Sequence, residues 1–255
     1  MAYYERKIKS GQVLEIIRYK TVRTPGVYYP RKSNIQVSTP RQKAINAVES
    51  KRWLTRKINS NFMPGDLFIT LTYSKEPKPD QAAKELAKYI RRLRAYRKKE
   101  GLEELKYIVI TEATETRLHH HMIINAMSSD AARNLWQYES DPKDRKTQRK
   151  IKGHGRAPTD TLDSSGDYSF LARYLGKQDK PGRRRWSCSQ NLKEPEVSKP
   201  KPINPTAARR APRTPKGYVL SKQTTRNENP DILYLNDNQM MVIWKYIKLE
   251  IDKEA

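Results

Sequence analysis

A chain of 255 residues can hold one substantial domain with extensions, or two small ones. Because 36% of residues are hydrophobic and 31% charged, a packed core fits the middle of the chain and not all of it. The 52 Lys and Arg residues against 28 Asp and Glu leave a formal net charge of +24, which points to a polyanionic partner, nucleic acid first, while the single Cys188 excludes an internal disulfide and a multi-cysteine zinc module.

In chain order, Met1-Ala-Tyr-Tyr-Glu-Arg-Lys7 lacks the apolar centre of a secretion signal. No later run approaches the roughly 20 apolar residues of a membrane span, so a cytoplasmic protein without a membrane partner is expected. Residues 1–62 read as a basic, tyrosine-bearing N-terminal extension with a strand-like run from Val13 to Tyr19 and a helical stretch from Arg41 to Ile58. Met63-Pro-Gly-Asp66 is the turn into a regular central region, 63–182.

Leu67-Phe-Ile-Thr-Leu-Thr-Tyr73 predicts a first strand, and Asp80 is a candidate cap for a helix from Gln81 to about Lys99. Ala83, Leu86, Ile90 and Leu93 form its apolar stripe, with Lys84, Lys88, Arg91 and Arg92 on the other face. Strands follow at Leu105 to Thr111 and Leu118 to Asn125. A helix then starts near Ser128 or Ser129 and runs through Trp136. A charged insertion from Asp141 to about Gly155 leads to a short fourth strand around Ala157 to Leu162 and a helix from about Asp167 to Lys177. The order βαββαβ plus a further helix predicts an α+β fold, an antiparallel sheet of ferredoxin-like or RNA-recognition-motif-like type with helices on one face and the other free for a ligand. Beyond it, 183–255 reads as a basic, proline-rich arm, extended or disordered, closed by an amphipathic helix over Asn238 to Lys253.

Chemistry concentrates at Arg117-Leu-His-His-His-Met-Ile-Ile-Asn125. In a strand, alternate side chains share a face, so His119 and His121 project together while His120 faces away. Glu112 ends the preceding strand, and the short connection Ala113 to Leu118 brings its carboxylate back beside the pair. Two imidazoles and a carboxylate suit a divalent cation with positions left open for catalysis. A one-residue slip would instead put His120 in the site, and Glu115 is an alternative third ligand. His154, between two glycines, reads as a loop residue.

A metal beside a nucleic-acid surface suggests phosphodiester chemistry, with Tyr174 as the candidate nucleophile. Lys177 lies three residues along the same helix, so ammonium and phenol can address one phosphate. A phenol is almost wholly protonated at pH 7 and needs that electrostatic help.

Phe68-Ile-Thr-Leu-Thr-Tyr73, His119-His-His121 and Tyr174-Leu-Gly-Lys177 together resemble the three ordered motifs of the HUH endonucleases, most closely the single-tyrosine rolling-circle replication initiators of bacterial phages and plasmids. The resemblance spans roughly Leu67 to Lys177, and Arg183-Arg-Arg-Trp-Ser187 extends it. It implies Mg²⁺ or Mn²⁺ held by His119, His121 and Glu112, and attack by Tyr174 on single-stranded or hairpin origin DNA in a bacterial host. The products are a 5′-phosphotyrosine and a 3′-hydroxyl primer. Phe170 stands where paired-tyrosine relatives carry a second tyrosine, which implies one nucleophile, with Tyr168 in reserve. Thr70 and Thr72 would face the DNA, and Arg117, Arg173, Arg183, Arg184 and Arg185 are candidate DNA contacts. No Walker motif is present, so a host helicase and polymerase are expected partners. A relaxase or transposase shares this chemistry, and a non-enzymatic nucleic-acid binder shares the scaffold.

Overall fold

The computed structural model describes residues 2–21, 26–27, 39–113, 117–140, 148–175, 186–221, 231–236 and 239–249. Strands β1 (Ala2–Ser10) and β2 (Val13–Thr21) precede helix α1 (Pro40–Asn61). The central region holds β3 (Leu67–Leu71), α2 (Pro79–Lys99), β4 (Tyr107–Ala113), β5 (Leu118–Ile124), α3 (Ser129–Gln137), β6 (Tyr138–Ser140), β7 (Gln148–Lys150), β8 (Thr159–Thr161) and α4 (Ser169–Leu175). Then come β9 (Ser187–Cys188), β10 (Glu196–Val197), β11 (Lys201–Ile203), a 3₁₀ turn (Ala207–Arg209), β12 (Tyr218–Leu220), β13 (Asp231–Asn236) and β14 (Gln239–Lys248). The chain falls into two units. The first comprises Met1–Ser60, Gly166–Ala172 and Lys193–Ala255, and the second Asn61–Ser165 and Arg173–Leu192.

The second unit carries a five-stranded antiparallel sheet in the order β8-β3-β5-β4-β9. Alternation sorts its residues onto two faces. Leu67, Ile69, Leu71, Val109, Met122 and Ile124 join Tyr89 and Leu93 of α2 and Ala132 and Trp136 of α3 in one apolar core. Burial of these large side chains, at roughly 1.5–3 kcal/mol each, is the main force holding both helices to the sheet. Polar ties set their angle: Tyr89 Oη donates to Ala132 O at 3.0 Å, and Trp136 Nε1 donates to Thr72 O at 3.1 Å. Asp66 accepts from Met63 N at 2.9 Å and Ala126 N at 2.8 Å, which ties the start of β3 to the residues after β5.

Three local expectations shift. Helix α2 starts at Pro79, which needs no amide partner in the first turn, and Lys78 rather than Asp80 is its cap residue. Its buried stripe runs through Ala82, Tyr89, Leu93 and Arg97, with Ala83 exposed. On its basic face Arg92 is tied to Leu135 O at 2.8 Å. The sheet face away from α2 and α3 is also not bare: Ile108 and Ile123 are buried there.

In the first unit β1 and β2 form a nine-pair hairpin around Gly11 and Gln12, and β14 pairs along β2 from Met241↔Tyr19 to Ile247↔Val13. Strands β10 and β11 add to β1, and β12 and β13 to β14. The helix expected over Asn238 to Lys253 is therefore a strand from Gln239 to Lys248. Val242, Trp244 and Tyr246 pack with Ile16 on one face, and Met241 and Ile243 with Ile8 and Ile17 on the other. A segment apolar on both faces, and rich in β-branched and aromatic residues, suits a strand buried on both sides better than a surface helix. The proline-rich segment expected to be a loose arm is, over its described residues, built into sheets, with Pro202 paired to Tyr4. Helix α1 is anchored by Arg56, whose Nε and Nη2 donate to Glu15 Oε2 at 2.9 and 2.6 Å.

Candidate active site

The register of β5 decides which histidines meet. Thr70 and Ile110 pair with His121, and Glu112 pairs directly with His119. Glu112, His119 and His121 thus share the face opposite the α2–α3 core. Their ligand atoms all lie within 4.8 Å of one another, the one such group of three among the described residues. His119 Nε2 is 3.2 Å and His121 Nε2 3.6 Å from Glu112 Oε2. The His121 side chain is 3% exposed, Glu112 12% and His119 21%, so the group is reached from the His119 side.

His121 is held on three sides. Thr70 Oγ1 lies 3.1 Å from Nδ1, Phe68 stacks on the ring at 5.6 Å, and Tyr174 meets it edge-on at 5.4 Å. Its Nε2 is buried without a hydrogen-bond partner in the structure. Burial pushes the imidazole pKa below its ordinary value, against the pull of Glu112, so the neutral ring is favoured. A neutral imidazole whose Nδ1 meets a hydroxyl can present a lone pair at Nε2, which is what a metal ligand needs.

His120 has the opposite environment. It faces the α2–α3 core, with Nε2 2.8 Å from Tyr73 Oη and Nδ1 2.8 Å from Thr111 Oγ1. Burial, with the neighbouring histidines adding, lowers its pKa to about 4. Both ring nitrogens are thereby satisfied, and the slipped register would leave them without these partners. His154 is a buried loop residue, stacked on Trp136 at 3.9 Å.

Tyr174, in the last turn of α4, is 41% exposed. Arg173 and Arg117 are both exposed. Tyr168 is buried in the first unit, which argues against it as a reserve nucleophile. Lys177, Arg183, Arg184, Arg185 and the alternative ligand Glu115 lie outside the described residues. The expectation that Thr70 and Thr72 face DNA is revised: Thr70 contacts His121, and Thr72 Oγ1 donates to Arg156 O at 2.7 Å. Reading the sequence missed Thr70, Phe68 and Thr111 as supports. Alternation puts Thr70 and His121 on matching faces, but only the cross-strand register makes them neighbours.

No helix among the described residues is long and apolar enough to cross a membrane. No curated protein and no solved structure matches the chain significantly. Residues 66–179 match the model of the family described as replication-associated protein ORF2, so the stretch carrying the histidines, Glu112 and Tyr174 is similar to replication-associated proteins.

Proposed function

We propose that this chain is a rolling-circle replication initiator of the HUH type, which nicks and rejoins one strand of origin DNA through Tyr174. The observation that carries the reading is the edge-on contact of Tyr174 with His121, which sets a partly exposed phenol beside the triad. The family match over 66–179 supports the replication role. The strand order β8-β3-β5-β4, with α2 and α3 on one face, supports a ferredoxin-like scaffold.

Glu112, His119 and His121 would hold Mg²⁺ or Mn²⁺. The mixed nitrogen and oxygen donors and the unpartnered, buried His121 Nε2 fit such an ion. A divalent cation there supplies positive charge at the scissile phosphate. Tyr174 Oη forms a bond to phosphorus as the bond to the 3′-oxygen breaks. The phenol proton passes to solvent, and the leaving oxygen takes one up. The exchange of one phosphodiester for another leaves a 5′-phosphotyrosine and a 3′-hydroxyl, and its reversal rejoins strands. Lys177 adds a second positive charge, and Arg117, Arg173 and Arg183 to Arg185 bind backbone phosphates. Single-stranded or hairpin origin DNA, a host helicase and a polymerase are the partners, in the cytoplasm of a bacterial host.

The test is to incubate the protein and Mn²⁺ with labelled single strands tiled across its own genetic element and look for a covalent adduct on a denaturing gel. An adduct lost with EDTA and in Tyr174→Phe is expected. An adduct that persists in the variant would overturn Tyr174 as nucleophile. No adduct on any strand, with tight binding kept, would replace this reading with that of a non-enzymatic binder.

A further inference from the structure

A second concave site lies within the second unit, on the α2 side of the sheet, and the triad takes no part in it. Tyr73, Glu76, Glu85, Lys88, Lys152 and His154 line it, with Pro77 and Ile151 as apolar flanks. Its rim adjoins the strand that carries the triad, because Glu76 Oε1 accepts from Leu118 N at 2.8 Å and Tyr73 Oη meets His120 Nε2.

The floor is unusual in its hydrogen-bond polarity. His154 Nδ1 lies 2.7 Å from Trp136 O, and since a carbonyl only accepts, that nitrogen carries a proton. Burial holds the His154 pKa below its ordinary value, so Nε2 then bears a lone pair. The His154 side chain is 2% exposed and its Nε2 has no hydrogen-bond partner, although Glu85 Oε2 lies 3.3 Å away in a direction unsuited to one. Burial pushes the Glu85 carboxyl up, but the hydrogen bond and charge of Lys88, with His154, outweigh it and keep the group anionic. Two acceptors therefore stand side by side facing a cavity, and a buried acceptor without a donor is costly. Carboxylates are also the wrong groups to offer a phosphate in a chain with a net charge of +24. What they fit is a flat, donor-bearing ring, with Lys88 and Lys152 left for the phosphate attached to it.

We propose that this cavity binds one unstacked base of the single-stranded DNA substrate and selects an amino-bearing edge, adenine or cytosine, over thymine, through Glu85 and His154. This rests on the reading of the chain as a single-strand DNA enzyme. Thymine offers a carbonyl where adenine and cytosine offer an amino group, so it sets acceptor against acceptor.

Fluorescence anisotropy of the full chain with labelled oligo-dA, oligo-dC and oligo-dT of equal length, in EDTA, tests it without cleavage. The wild type should bind oligo-dA and oligo-dC about tenfold tighter than oligo-dT, and Glu85→Ala should lose that ratio while keeping its oligo-dT affinity. Equal binding of all three, or an unchanged ratio in Glu85→Ala, overturns the proposal. If Glu85→Ala does not fold, the His154 Nε2 nitrogen chemical shift of the wild type decides. It should move on adding oligo-dC and not oligo-dT, and no difference between them overturns the proposal. A chain that forms no covalent adduct yet shows the base preference would refute the nicking reading and leave this site standing.

Discussion

Thr70 Oγ1 is 3.1 Å from His121 Nδ1, and that one hydroxyl can decide whether Nε2 is a ligand. A proton held at Nδ1 leaves the lone pair on the nitrogen aimed towards Glu112. Thr70→Ala should therefore weaken Mn²⁺ binding by roughly 10–100-fold in calorimetric titration, with Thr70→Ser restoring most of it. Full affinity in the alanine variant would remove Thr70 from the site's support. His120 makes a different prediction. Its folded-state pKa of about 4 lies below the ordinary 6.5, so between these values the unfolded chain binds more protons. Stability is complete above the upper value and falls as pH drops towards the lower one, by on the order of 3 kcal/mol in total. His121 and His154, also lowered by burial, act with the same sign. Urea melts of the metal-free protein across that window should show the slope, and His120→Phe should flatten part of it. An identical slope in the variant would assign the effect to other groups.

At the scale of elements, the β4–β5 hairpin shows how far a sequence can be read. An acid-ended strand, a short connection and alternating histidines are local, and their spacing brings Glu112, His119 and His121 to one face. Strand β14 was not legible in the same way. Val242, Ile243, Tyr246 and Ile247 satisfy a helical spacing as well as an extended one, and only the pairing with Val13 to Tyr19 selects the strand. The turn between β1 and β2 is a further element whose requirement is steric. Gly11 has φ 58°, and a Cβ there would sit 2.0 Å from the backbone oxygen of Asn59 in α1. Gly65 has φ 88° with no atom within 4 Å of such a Cβ. Gly65→Ala should cost roughly 1 kcal/mol of strain, whereas Gly11→Ala must also displace the helix backbone and should cost at least roughly 3 kcal/mol. Equal losses in chemical denaturation would mean that α1 yields freely.

For the whole molecule, charge announced a nucleic-acid partner, yet composition could not show that the two ends of the chain meet in one sheet. Residues far apart in sequence pair there, with no local pattern to reveal it. Truncation after Pro181 should consequently do more than remove basic residues. It deletes β14, the partner of β2 along seven residue pairs, and the first unit should lose its cooperative thermal transition. A truncated protein that keeps two transitions, or one unchanged, would contradict this. The same pairing sets a timetable for synthesis. The β1–β2 hairpin leaves the ribosome first, but β14 is among the last residues made. Through most of translation the apolar edge of β2 has no native neighbour, while the second unit has all of its strands. Slow elongation therefore prolongs a state with an open strand edge, and yield in a host should depend on how quickly that edge is covered.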